Sequence, residues 1–297
     1  MKKNLLILLL TILFSGCLPE GDSGCPGYLT VSFDLDDEYE EGNFDSRIGN
    51  DIVLYVFRDG RCLQRISVPY EEVRGGKEYR FRKGLRMHGN LDIVAWAVAS
   101  EKGDPASIPD WVENDQLEYL RLEMPAKTGA SDCMPTANEL YMGMETFYEK
   151  VDSSSTRPMS LQHVACRVEV NVSDATGTLS SSTPRIALYG SMTAMDMWKK
   201  GVGEEAVVHT GLVCPSGNGK EYTSGRFGIL PSAQYQTIAV DIVSGDAVMA
   251  TLTVPRDKLP QGAVSGGLMI FDYSLGDNEF WITVNGYRQK IVIIDGI

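Results

Sequence analysis

The chain has 297 residues, with 40 acidic and 27 basic side chains, a formal net charge of −13 and a hydrophobic fraction of 43%. So acidic a balance repels nucleic-acid phosphates and anionic lipid headgroups, which excludes partners recruited by basic charge. The length suits two domains of ordinary size, and six cysteines without a C-x-x-C pair exclude a zinc ribbon or a thioredoxin-like motif.

The first element is a leader. Lys2 and Lys3 precede an apolar run over residues 5–13, and Phe14-Ser15-Gly16-Cys17 follows. That run is shorter than the roughly 20 residues a spanning helix needs and fits a signal h-region. Small residues closing on a cysteine resemble a bacterial lipobox. The resemblance implies that residues 1–16 are a signal peptide cut by signal peptidase II. Cys17 would then carry the acyl chains, residues 17–27 would form a lipidated tether, and the protein would sit at the outer membrane. Losing residues 1–16 removes two lysines and no acid, so the mature chain is more acidic still. No later apolar run approaches spanning length.

From residue 28 the pattern has period two. Leu29, Val31, Phe33 and Leu35 alternate with polar residues, which predicts a strand with one wet face. Residues 52–57 are continuously apolar and rich in β-branched and aromatic side chains, which predicts a strand covered on both faces. Asp59-Gly60 then predicts a hairpin into residues 62–68, because both turn positions need positive φ. Residues 79–82 and 91–98 add two strands. Over 99–157, turn chemistry surrounds Pro105 and Pro109, residues 117–124 suit a strand, and 138–150 suit a short helix or irregular strand. The serine-rich stretch 152–158 reads as a linker.

A second series opens with Val164, Cys166, Val168, Val170 and Val172. Strands are expected over 185–189, 225–230, 237–243, 248–254, 267–273 and 279–284, with Asn285-Gly286 turning into a last one over 287–294. Residues 192–200 suit a short helix. Closely spaced strands without long amphipathic helices point to an all-β chain of two tandem β-sandwiches and away from a parallel α/β sheet.

The strand ending in acids over 33–41, the run 52–57 with Asp59-Gly60, the strand 91–96, the lipobox and the strand 164–172 together resemble the FimB/Mfa2 family of fimbrial subunits. The resemblance spans nearly the whole mature chain and is firmest over 28–98. It implies two transthyretin-like β-sandwich domains, here 28–155 and 156–297, and a fimbrial shaft subunit (fimbrillin) as partner. It also implies a role as anchor or accessory subunit of a type V pilus, whose shaft subunits lend a β-strand to a neighbour's groove. The chain ends three residues after Ile294, so a filament base is expected here rather than a strand donor.

Other candidate sites are sparse. Asp34, Asp36, Asp37, Glu38, Glu40 and Glu41 are oxygen-rich but lack EF-hand spacing, and read as a solvated loop end. Gly217-Asn218-Gly219-Lys220 lacks the first glycine and the Ser/Thr of a phosphate loop and reads as a turn. His163 and Cys166 supply two metal ligands without a third, and Cys166 reads as a small core hydrophobe. No metal site or cofactor is expected. Three histidines with neither a G-x-S-x-G nor an H-E-x-x-H motif point away from an enzyme. Trp96 and Trp281 lie in strand patterns and read as core, whereas Trp111, beside Pro109 and Asp110, is the candidate for an exposed contact. Through Trp111 an alternative function is open: a surface lipoprotein that captures a glycan or a host protein.

Overall fold

The computed structural model describes residues 26–38, 43–99, 108–124, 132–135, 140–150, 152–181, 183–234, 236–258, 262–277 and 279–291. The leader, Cys17 and Cys25 lie outside the described residues. Strands dominate the rest. The first nine are β1 (Tyr28–Asp36), β2 (Ile52–Arg58), β3 (Arg61–Val68), β4 (Tyr79–Arg82), β5 (Gly89–Val98), β6 (Arg121–Glu123), β7 (Asp132–Cys133), β8 (Leu140–Glu149) and β9 (Ser155–His163). One-turn helices α1 (Phe44–Arg47) and α2 (Tyr70–Val73) interrupt them. Nine more follow: β10 (Cys166–Ser173), β11 (Pro184–Asp196), β12 (Gly201–Gly211), β13 (Glu221–Ile229), β14 (Ala239–Ser244), β15 (Ala247–Thr253), β16 (Leu268–Ser274), β17 (Glu279–Val284) and β18 (Tyr287–Ile291). Among the described residues no helix is long and apolar enough to cross a membrane.

Seven strands form one sheet in the order β3-β2-β5-β8-β9-β1-β4. β8 and β9 pair only at Tyr141↔His163 and Met142↔Gln162, so the sheet splits beyond that corner into two leaves. The leaves enclose Leu29 and Val31 of β1, Met159 and Leu161 of β9, Leu54 of β2 and Ile93 of β5. Each such buried side chain contributes about 1.5–3 kcal/mol. β2 is apolar at consecutive positions because both of its faces are covered, as expected. Ile52, Leu54 and Val56 face this core, and Val53, Tyr55 and Phe57 face a second one.

That second core continues into the other half. There a sheet in the order β13-β10-β16-β17-β18 packs against one in the order β15-β14-β11-β12-β7, with β6 also on β11. Val168, Val170 and Val172 alternate inward against Ile186, Leu188, Val240 and Ile242. The same apolar cluster runs without a break to Tyr55, Phe57 and Trp96. Both predicted hairpins form, with Asp59 and Gly60 at φ 50° and 74°, and Asn285 and Gly286 at 48° and 83°.

Several local expectations change. The serine-rich stretch read as a linker runs into β9, which pairs with β1. Pro158 sits in β9 opposite Ser32; this is tolerated because β8 pairs with β9 only at its far end, so no ladder bond is lost on the open side. Residues 192–200 are no helix: β11 extends to Asp196 and turns into β12. Residues 138–150 hold β8, and 117–124 hold a 3-10 turn followed by β6. β9 pairs with β1 in the first sheet, while β6 and β7 cross over to pair with β11 and β12.

Candidate functional site

The chain enters the fold at Gly27, wedged so tightly that a Cβ there would lie 1.8 Å from the Ser153 carbonyl oxygen. Only glycine permits that approach. The Gly27 carbonyl accepts a bond from the Lys83 N–H at 3.0 Å, and Tyr28 N–H donates to Ser154 Oγ at 3.1 Å. Beneath this point the Lys83 ammonium meets Glu149 Oε2 at 2.9 Å, their side chains 0% and 2% exposed. Arg157 Nη2 and the Ser155 hydroxyl donate to Glu149 Oε1. A buried charge persists only when paired and hydrogen-bonded in this way.

Burial pushes the Glu149 carboxyl up, but hydrogen bonds from Ser155, Lys83 and Arg157 outweigh it and hold the group below its ordinary range. A carboxyl lowered in the folded state stabilises the fold above its unfolded-state pKa, and that contribution fades as the pH falls through the folded value. The stability difference between wild type and Glu149→Gln should therefore narrow below about pH 4. Urea midpoints across an acid series measure it, and an unchanging difference down to about pH 3 would refute the assignment.

The far end of β1 carries the acid-rich stretch. Asp37 is not a solvated loop residue. Arg167 of β10 donates to both of its oxygens, Nη1 to Oδ1 at 2.8 Å and Nη2 to Oδ2 at 2.6 Å, with both side chains under 5% exposed. Tyr141 Oη donates to Asp37 Oδ2 at 3.2 Å and accepts from Arg47 Nη2 at 3.0 Å. Gln162 Nε2 donates to Asp36 Oδ2 at 2.9 Å, and Lys199 of the second half donates to Gln162 Oε1. The acids thus join the two halves. Glu40 and Glu41 lie outside the described residues.

Sheet edges decide where another chain can add a strand, because an edge presents unpaired N–H and C=O groups. Charged side chains guard most edges here: Arg61 and Arg65 on β3, Arg80 and Arg82 on β4, Glu221 and Arg226 on β13, Arg288 and Lys290 on β18. β7 is only two residues long. β15, Ala247-Val248-Met249-Ala250-Thr251-Leu252-Thr253, carries no charge at all. One side pairs with β14; among the described residues no strand pairs with the other. Leu252 anchors the strand in the core while Val248 is 56% exposed. A register shift between Ile242 and Val243 leaves Met249 as a bulge, so 250–253 is the regular stretch of the edge.

Trp111 is buried, against expectation. It is 6% exposed, its ring 4.7 Å from Tyr55, 6.0 Å from Phe57 and 5.9 Å from Trp96. It covers the outer face of β2 and β5, and the Tyr55 hydroxyl donates to the neighbouring Pro109 carbonyl. Trp96 is core as expected. Trp281 is partly exposed beneath Arg288 and Lys290. Cys166 is a core thiol that burial pushes up to about 12. His163 is spent locally, its Nδ1 2.9 Å from the Ala165 carbonyl and its ring edge-on to Tyr141. Residues 217–220 form a turn whose Gly219 N–H donates to Cys214 Sγ at 3.3 Å. Cys62, Cys166 and Cys214 are free thiols, and no group of three metal-ligating side chains gathers among the described residues.

The family model for fimbrillin-A associated anchor proteins Mfa1 and Mfa2 matches residues 22–287. The chain belongs to this family. Solved structures share its fold. The fimbrial anchor protein Mfa2 from Porphyromonas gingivalis aligns at TM-score 0.60 and 14% identity, over 89% of this chain and 99% of that one. A protein from Bacteroides thetaiotaomicron described as a candidate for polysaccharide binding aligns at 0.62 and 16%, over 90% and 98%. A fimbrial assembly protein from Parabacteroides distasonis aligns at 0.50 and 12%, over 90% and 99%. No curated protein sequence matches the chain. Membership in the Mfa2 family gives the protein a fimbrial role at the cell surface, within a family of anchor proteins rather than of enzymes.

Proposed function

We propose that this Mfa2-family protein is a lipid-anchored subunit, acylated at Cys17, that seats a type V pilus at the outer membrane by pairing a strand of the shaft subunit along β15. Family membership supports the fimbrial part, and the lipobox supports the lipid. The uncharged outer side of β15 carries the pairing. Strand addition satisfies the edge's backbone groups, while alternate side chains give specificity. No charged side chain or proline discourages it there, whereas β3, β4, β13 and β18 carry charged residues.

Lysine at an edge is the usual block to such pairing. Val248→Lys, at an exposed position, should leave the folded protein at the membrane while crosslinked fimbrillin recovered with it falls by about tenfold, equivalent to about 1.4 kcal/mol. Undiminished recovery would remove β15 from the proposal. The alternative of glycan or host-protein capture through exposed aromatics cannot rest on Trp111, whose side chain is buried.

A further inference from the structure

β1 and β9 run parallel through eight consecutive register pairs, from Leu29↔Ser155 to Asp36↔Gln162. The chain enters β1 at its first residue and leaves β9 at its last, with two residues between β9 and β10. A pull between the N-terminus and the second half therefore draws β1 backwards and β9 forwards along one axis. Bonds of a parallel ladder are evenly spaced, so under that load they share the force and must fail together. A pair pulled apart from one end breaks one rung at a time.

Both ends of this ladder are fastened. At the start, Gly27 is held by Lys83 and packed on Ser153, above the buried Lys83–Glu149–Arg157 network. At the finish, Asp37 beyond β1 is clasped by Arg167 beyond β9, bidentate and buried. β4 adds four antiparallel pairs on the other flank of β1. We propose that β1 and β9 form a mechanical clamp, the element that keeps a tethered N-terminus from being drawn out of the fold under tension. Its biological use rests on the anchor reading; its geometry does not.

Single-molecule force spectroscopy tests the clamp directly. The chain is expressed without residues 1–16, held by an N-terminal tag, and pulled through a second handle at one of two exposed positions. A handle at Asp246 loads the ladder in shear. A handle at Asp152, just before β9, peels β1 from the same end. The force that releases β1 should be severalfold higher from Asp246. Equal forces in the two geometries would overturn the proposal. Thr30→Cys with Thr156→Cys, a register pair, assigns the event: oxidation should abolish β1 release in both geometries and reduction restore it. Persistence of the event in the oxidised variant would show that another element bears the load. The measurement involves no lipid, so it stands or falls separately from acylation at Cys17.

Discussion

Cys17→Ala is expected to move the protein from the membrane fraction into the soluble fraction and to leave filaments shed into the medium. Each buried methylene contributes about 0.8 kcal/mol, and several acyl chains together hold a protein where one chain binds only reversibly. The net charge of −13 is repelled by anionic headgroups, and no described helix could span the bilayer. Fractionation with immunodetection reads the outcome. Membranes that retained both the Cys17→Ala protein and its filaments would end the lipid-anchor proposal.

Arg167→Ala should cost about 3–5 kcal/mol, because it strands the Asp37 carboxylate in a buried site. That is a large part of the roughly 5–15 kcal/mol typical of a folded domain. The pair itself need not be strongly stabilising, since its desolvation offsets much of its attraction. Asp37→Leu combined with Arg167→Met should therefore recover most of the loss. Guanidinium midpoints of the three proteins separate the two terms. Arg86→Ala, at an exposed pair with Glu113, should change stability by about 1 kcal/mol or less. If Arg167→Ala proved as mild as Arg86→Ala, Asp37 would have to be solvated.

Much of the fold was legible because a half-buried strand writes period two into its sequence. Leu29 and Val31 of β1, the valines of β10 and the two turn pairs Asp59-Gly60 and Asn285-Gly286 each announced themselves locally. β9 did not, since Pro158 and its polar neighbours mimic a linker, and only the missing β8 pairing makes that proline acceptable. β12 was hidden by Gly203, Glu204 and Glu205, which interrupt the alternation of Ala206 and Val208. Trp111 had no periodic signal of its own. The clue lay elsewhere: a strand covered on both faces requires something to cover Tyr55 and Phe57, and an aromatic residue in a nearby loop can do so. Asp37 shows the limit of local reading most clearly, because its partner Arg167 is 130 positions away. The edge at β15 was visible as an uncharged run, but which runs end a sheet is a property of the topology.

The passage of β6 and β7 into the second half's sheet has a consequence for how such proteins can diversify. Two halves joined by a simple hinge could be traded between relatives like beads on a string. Here either half cut at the covalent joint leaves something behind: the first would carry two strands with no sheet to join, and the second would expose the sides of β11 and β12 they cover. Recombination that preserves folding must therefore exchange the pair whole, which makes the two sandwiches one heritable unit.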